Sequence, residues 1–437
     1  MGSLWKKTAR MPGFPTLEGD TRTDVLIIGG GLAGLLCAWE LGQGVRKLEQ
    51  AGVDYLLVEA ERVAGGVTGD TTAKLTSQHG LIYHKLLAQF GAEKARLYYE
   101  ANEGALAAYR ALAGKIECDF QEEDNYIYSR TGTQGLEQEM EALGLLNIPA
   151  ELVTALPLPF PVAGAVRFPR QGRFHPLKFL AAIAEGLNIR ERTRAISWKP
   201  GEVVTDRGTI RAEKVIVATH FPLFDSHGGY FLKLYQHRSY VIALKGAGPL
   251  AGMYLDETDT GLSFRSQEDL LLLGGGGHRT GKAGGGWQEL EQFARIHYPK
   301  AEVVERWATQ DCMSLDGAPY IGPYSRNTPG LYVAAGFNKW GMTTAMAAAE
   351  VLCDLTRGKE SPYEELFSPS RTMLRVQLAA NVMEAAMDLM MPVTPRCSHM
   401  GCVLRYNAQE HSWDCPCHGS RFSEQGKVLD NPATRDM

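Results

Sequence analysis

The chain has 437 residues, 44% of them hydrophobic, which is enough for two or three packed domains. Its formal net charge of -5 and dispersed Lys and Arg leave no electrostatic footprint for a nucleic-acid partner. No apolar run reaches the ~20 residues that span a bilayer, and the first 20 residues lack the apolar core of an export signal, so a cytoplasmic location is expected.

Residues 1–22, with Pro12, Gly13, Pro15 and Gly19, read as an irregular surface arm. Asp24–Ile28 is a short apolar run of the length of one buried parallel strand. Gly29, Gly31 and Gly34 follow as G-x-G-x-x-G at the start of an Ala/Leu-rich helix. That context suits a dinucleotide: the glycines permit a tight turn and close approach of backbone to pyrophosphate, and the helix N-terminus points its N–H groups at the phosphates. A second strand, Tyr55–Val58, ends in Glu59, whose carboxylate can accept hydrogen bonds from an adenosine ribose. The Gly/Thr loop from Glu61 to Lys74 is rich in backbone donors and hydroxyls and is expected to touch the same cofactor.

Residues 93–113 place Ala95, Tyr98, Tyr99, Ala105, Leu106, Tyr109 and Leu112 at helical spacing, as a core face. Five prolines between Pro149 and Pro169 suggest a crossing segment. A helix opening at His175, a strand over 188–198 and a buried strand over 214–220 follow, and several strand-like runs between Tyr230 and Cys312 suggest a mostly antiparallel second layer or domain. The pattern of strand, glycine and helix returns at Leu331–Ala335, Gly336 and Gly341-Met342.

These stretches, DVLIIGGGLAG, VEAE with its GGVTGDTTAK loop, VIVATH, LDGAPYIGP and GLYVAAGFNKWGMTTA, resemble the D-amino-acid oxidase and glycine oxidase superfamily of flavoproteins over most of residues 23–358. The resemblance implies FAD, held at its ADP half by Gly29, Gly31, Gly34 and Glu59, with Ala195 at the adenine and Thr68, Thr71, Thr72, Gly336, Gly341 and Met342 near the flavin. It also implies hydride removal from a C–H beside an amine. Family members acting on amino acids usually carry an arginine for the substrate carboxylate before a turn that is here Ser314-Leu315-Asp316, and the matching place holds Asp311. A carboxylate there attracts an ammonium group, which favours an amine-like substrate, although Arg265 and Arg279 could restore the positive charge. Tyr254, Arg265, Asp311 and Lys339 are the candidate catalytic residues by placement, and Cys312 is out of register for a covalent flavin link.

Cys37, Cys118, Cys312 and Cys353 are dispersed, whereas Cys397, Cys402, Cys415 and Cys417 crowd together with His399 and His418. In a chain read as cytoplasmic, such a cluster points to metal rather than a disulfide framework, and two thiolates with two imidazoles suit tetrahedral zinc or a His-ligated [2Fe-2S] centre. CSHMGC and CPCHGS closely resemble the Rieske motif. By that resemblance Cys397 and Cys415 hold one iron, His399 and His418 hold the other, Cys402 and Cys417 form a disulfide, and Ser420 donates a hydrogen bond to the cluster. Phe422 stands where high-potential members carry Tyr, which implies a lower potential.

The expected architecture is an α/β chain: a Rossmann-like FAD-binding domain (23–90, 150–225, 313–360), a mostly antiparallel substrate domain (91–149, 226–312), a helical linker (361–392) and a small all-β Rieske-type subdomain (393–437). The linker helix, with Leu374, Leu378, Val382, Ala386 and Leu389 as an apolar stripe, is expected to dock the subdomain. The expected function is a dehydrogenase that moves a hydride from an amine or amino-acid-like small molecule onto FAD. Electrons then pass singly through the cluster to an external one-electron carrier. A flavin oxidase with a structural zinc site, a reductase running the same parts backwards, and a flavin-binding redox sensor without turnover are the alternatives.

Overall fold

The computed structural model describes residues 2–42, 53–224, 227–258, 260–372, 378–379, 381–383, 391 and 393–437. Its first sheet runs, in spatial order, Tyr320–Pro323, Leu331–Ala335, Gly208–Val217, Thr21–Ile28, Tyr55–Val58 and Ile189–Arg190. All neighbours are parallel except the first pair, and a hairpin of Ala195–Lys199 with Glu202–Thr205 is added on Gly208–Val217. Val25 to Ile28 are all buried, because helices Leu32–Gly42 and Gly341–Thr356 cover one face. This is the expected Rossmann-like half, and its strand ends place Gly29, Glu59 and Gly336 along one edge.

The second, nine-stranded sheet is largely antiparallel and carries Leu234–Lys245 between Glu302–Ser314 and Leu270–Arg279. It departs from the expected boundaries. Gly164–Arg173, placed by the prolines in a crossing segment of the FAD domain, is a full strand of this sheet, paired with Gln121–Ser129. Pro169 is tolerated in it because the register shifts between Glu123 and Asn125, near that position. The expected N-terminal arm is also ordered. Ser3 caps the short helix Leu4–Thr8, and Trp5 is fully buried with its Nε1 donating to Thr71 O at 2.7 Å.

A third, four-stranded antiparallel sheet, from Arg405–Asn407 to Val428–Asp430, forms the C-terminal subdomain. Polar contacts tie it to the second sheet: Arg238 pairs with Glu410 through Nε and Nη2, Gln310 Nε2 donates to Gly419 O at 2.9 Å, and Gln236 Nε2 donates to Asn431 O at 3.1 Å. Of the stripe expected to dock it, Leu374, Ala386 and Leu389 lie outside the described residues, Leu378 is half-buried and Val382 is 45% exposed. Among the described residues no helix is long and apolar enough to cross a membrane.

Candidate flavin cavity and cluster centre

A cavity of about 1580 Å³ runs from Gly29 and Glu59 past Thr193–Ala195 to Asp311, Gly336 and the helix start at Gly341-Met342, and is closed by the C-terminal residues around Asp430. The residues at its first end fit the ADP half of FAD. Gly29 has φ +110°, and a Cβ on Gly34 would lie 1.9 Å from Gly29 O, so only glycine lets helix and strand close on each other. Gly31 opens toward Thr68, whose Oγ1 accepts from Leu32 N at 3.0 Å. The Glu59 carboxylate accepts from Gly30 N at 2.7 Å and Glu61 N at 2.8 Å, which holds it at the strand end. Burial raises its pKa against the pull of those N–H groups.

At the other end Gly336, with φ +69°, packs on Leu234 and Ser314, and Asn338 Oδ1 accepts from Ser314 N at 2.9 Å. Thr68, Thr71, Thr72, Ala195, Gly341 and Met342 also line the cavity. Lys74, the last residue of the Gly/Thr loop expected to touch the cofactor, lines the cavity and is buried, and desolvation followed by the charge of Arg265 lowers it to about 7. Sequence reasoning missed His79, which stacks on Trp340 at 4.9 Å and is neutral because burial lowers its pKa to about 3. It stands in the run Leu75-Thr76-Ser77-Gln78-His79, which carries no motif and becomes part of the site only through the fold.

The four candidate catalytic residues separate into two pairs. Asp311 and Lys339 line the cavity together. Burial pushes the Asp311 carboxyl up to about 6, against the opposing pull of Lys339, of a Ser239 hydrogen bond at 3.4 Å and of Arg238. Tyr254 and Arg265 are not brought there. Tyr254 stacks on Tyr126 and donates to Ala251 O. Arg265 is fully buried with its guanidinium spent on Thr72 O, Ala73 O, Ser266 O and Gln267 Oε1, so it shapes the Thr72–Ala73 loop from behind. Arg279 is committed as well, to Pro416 O, Cys417 O and Asn381 Oδ1. Neither arginine restores the missing cation. Cys312 is buried in the apolar layer with Leu234 and Tyr320, its thiol pushed up to about 12, as expected of a packing residue.

The C-terminal cysteines and histidines converge in one buried centre. Cys397 N donates to Cys402 O and Cys415 N to Ser420 O, so two tight turns face each other. The neighbouring Cys415 thiol and burial push the Cys397 thiol up, and the Ser420 hydroxyl opposes this with a hydrogen bond. The His399 and His418 rings stand perpendicular, 5.1 Å apart. His418 is 4% exposed, its Nδ1 has no hydrogen-bond partner among the described residues, and burial lowers its pKa to about 3. A neutral imidazole with an orphaned inner nitrogen suits a metal ligand. Sulfur proximity alone singles out Cys402, Cys415 and Cys417, which lie within 4.8 Å of one another. The expected ligands Cys397, His399, Cys415 and His418 and the expected disulfide pair Cys402 and Cys417 all belong to this one centre. Phe422 is fully buried, opposite Trp413.

The comparisons with known proteins agree with both halves. A family model described as FAD dependent oxidoreductase matches residues 24–355, and one described as Rieske [2Fe-2S] domain matches residues 375–437. The chain belongs to the FAD-dependent oxidoreductase family. Its C-terminal part is a Rieske domain, so the cofactors of this oxidoreductase are FAD and a [2Fe-2S] cluster. It is similar along 100% of its length to the putative Rieske 2Fe-2S iron-sulfur protein YhfW of Bacillus subtilis (strain 168), at 34% identity and covering 96% of that protein. Glycine oxidase from Geobacillus kaustophilus shares the fold with a TM-score of 0.68 at 20% identity, over 80% of this chain and 99% of that one. L-proline dehydrogenase from P. horikoshii does so with a TM-score of 0.65 at 16% identity, over 82% and 98%.

In this oxidoreductase the strands Leu234–Lys245 and Glu302–Ser314 stand between the two centres. Tyr235, Ser239, Thr309, Asp311 and Met313 line the cavity, while the alternate residues Gln236, Arg238 and Gln310 bond to the Rieske domain. Alternation along these two strands therefore makes them part of the wall between cavity and cluster loop, and the Rieske domain's own Asp430 and Asn431 complete the cavity lining on that side. At the end of the wall the Leu234 side chain faces Gly336, and Phe231, three residues earlier, packs on the His418 ring at 6.2 Å.

Proposed function

We propose that this chain is a dehydrogenase that oxidises an amine or amino-acid-like small molecule and delivers the electrons one at a time to an external carrier. Bound FAD supplies a hydride acceptor and the [2Fe-2S] cluster a one-electron relay. The observation that carries the reading is the shared wall: Asp311 faces the cavity while the preceding residue, Gln310, holds the cluster loop at Gly419. A centre built that close to the flavin cavity serves it.

The cavity face of the wall supports an amine nitrogen as the group bound. Asp311 offers a carboxylate, with Ser239 and Thr309 beside it on the paired strands. Thr309 is 8% exposed and its Oγ1 has no hydrogen-bond partner among the described residues. A buried hydroxyl left unsatisfied costs about 1–3 kcal/mol, and an N–H donor from a ligand would recover it. Lys339 lines the same cavity, and its charge favours the ionised form of Asp311. In this reading Asp311, Ser239 and Thr309 orient the nitrogen, the Thr71–Lys74 loop and the Gly336–Met342 turn position the flavin, and Cys397, His399, Cys415 and His418 hold the cluster.

Anaerobic mixing with a panel of primary and secondary amines and amino acids tests the reading. Bleaching of the flavin band with ferricyanide reduction and little hydrogen peroxide in air is expected. Stoichiometric peroxide with no gain from ferricyanide would instead make it an oxidase.

A further inference from the structure

Gln236 is 1% exposed, near the start of strand Leu234–Lys245, and each of its polar atoms has its own partner. Its Oε1 lies 2.8 Å from Nε2 of His220, a residue that lines the cavity. Its Nε2 donates to Asn431 O of the Rieske domain. Its aliphatic part packs on Gly419, the residue after the cluster histidine His418. A Cβ at Gly419, where φ is +83°, would fall 2.4 Å from Gln236 Cβ. Gln310 holds the same glycine by its carbonyl, and Asn431 returns a hydrogen bond to Thr219 O beside His220.

A glutamine buried in a sheet must satisfy two polar ends, and a leucine or methionine would fill the space at lower cost. This one bonds two cavity-lining residues, His220 of the flavoprotein part and Asn431 of the Rieske domain, while its stem touches the cluster loop at Gly419. We propose that Gln236 is the positioning residue for electron passage between cavity and cluster, fixing His220 and Gly419 in one packed and hydrogen-bonded line along the Rieske-facing side of the sheet. The inference rests on the dehydrogenase reading above.

In the passage itself each flavin reduced by two electrons returns to the oxidised form by two successive one-electron transfers to the cluster. An external one-electron acceptor reoxidises the cluster between them, and the protons leave to solvent. Gln236 neither gains nor loses a proton. It sets the separation and packing on which the transfer rate depends.

The test uses the full-length protein with both cofactors, reduced under anaerobic conditions by a flash of photochemically generated deazaflavin radical. The internal step is the phase that is independent of protein concentration and in which flavin and cluster absorbances change in opposite directions. In Gln236→Met, which keeps the bulk and removes both hydrogen bonds, that phase is expected to slow roughly tenfold, the equivalent of about 1.4 kcal/mol of barrier. Flavin content, both midpoint potentials and the cluster EPR spectrum should stay as in the parent, which a merely structural defect would not allow. An internal phase at the parental rate overturns the role of Gln236. Should Gln236→Met fail to load its cluster, His220→Leu breaks the same line from the cavity side, and an unchanged rate there overturns the inference equally. A parent protein with no internal phase would sink the dehydrogenase reading itself.

Discussion

Arg238 of the substrate sheet and Glu410 of the Rieske domain form a buried two-point ion pair, and Arg421 joins the same carboxylate at 2.9 Å from within the Rieske domain. Arg421 also bonds Asp414 and Asp430, so the docking surface is a closed charge network with few open valences. Removing one partner leaves the others buried without compensation, which costs about 3–5 kcal/mol. Arg238→Ala should therefore split thermal unfolding into two transitions and raise hydrogen exchange at Gly419 and Asn431 first. A single transition at the parental temperature would show that the network does not hold the domains together.

The same network predicts an acid limb. Burial alone would raise Glu410, but Arg238 and then Arg421 outweigh it and hold the carboxyl down at about 2. A depressed carboxyl contributes stability that is complete above its ordinary value near 4.5 and is lost as pH falls toward 2. The loss amounts to about 3 kcal/mol at most. Domain separation, followed by hydrogen exchange, should set in below pH 4.5 in the parent and show a weaker pH dependence in Glu410→Gln.

Asp311 has the opposite displacement, and its sign follows. Burial raises it to about 6, so the carboxylate needed to hold an ammonium group forms only as pH rises through that value. Affinity for tert-butylamine, which has no α C–H to be oxidised, should rise through pH 6 when followed by the flavin difference spectrum. Asp311→Asn should weaken it roughly tenfold or more, as loss of a charged hydrogen bond of about 1.5–3 kcal/mol requires, and flatten the profile. Tighter binding of pivalate, its carboxylate counterpart, would reverse the assigned polarity.

Much of this was legible in the sequence. The strand and glycine turn at Asp24–Gly34 and the spacing from Cys397 to His418 are local signals, set by backbone sterics and by ligand geometry, and both survive folding unchanged. Arg265 and Tyr254 were misplaced because a charged or phenolic residue on a strand normally points to a surface or a site. Here Arg265 is fully buried by finding backbone carbonyls from a loop nearly two hundred residues away. The wall was invisible for another reason: strand Leu234–Lys245 is covered on both faces, so its two polar sets, Ser239 on one side and Gln236 and Arg238 on the other, blur its alternation. Only the register with Glu302–Ser314 reveals which set meets the cluster.

Gly34 and Gly31 separate packing from ligand space. A methyl at Gly34 meets Gly29 O at 1.9 Å, whereas at Gly31 it meets the Thr68 hydroxyl at 3.3 Å. Gly34→Ala should lower stability by about 1–3 kcal/mol or more and abolish flavin retention. Gly31→Ala should keep the melting temperature of the flavin-free protein but lower the flavin-to-protein ratio. Equal behaviour of the two variants would remove the pyrophosphate assignment.

The account turns on whether electrons placed on the flavin reach the cluster within one chain. The most direct measurement is low-temperature EPR of the anaerobic protein after amine or photochemical reduction by one electron per chain, with iron, zinc and acid-labile sulfide counted on the same sample. The account predicts two irons and two sulfides per chain and the low-average-g signal of a His-ligated cluster, growing in as the flavin reoxidises. A reduced flavin beside a cluster that stays oxidised, or zinc in place of iron, would contradict it.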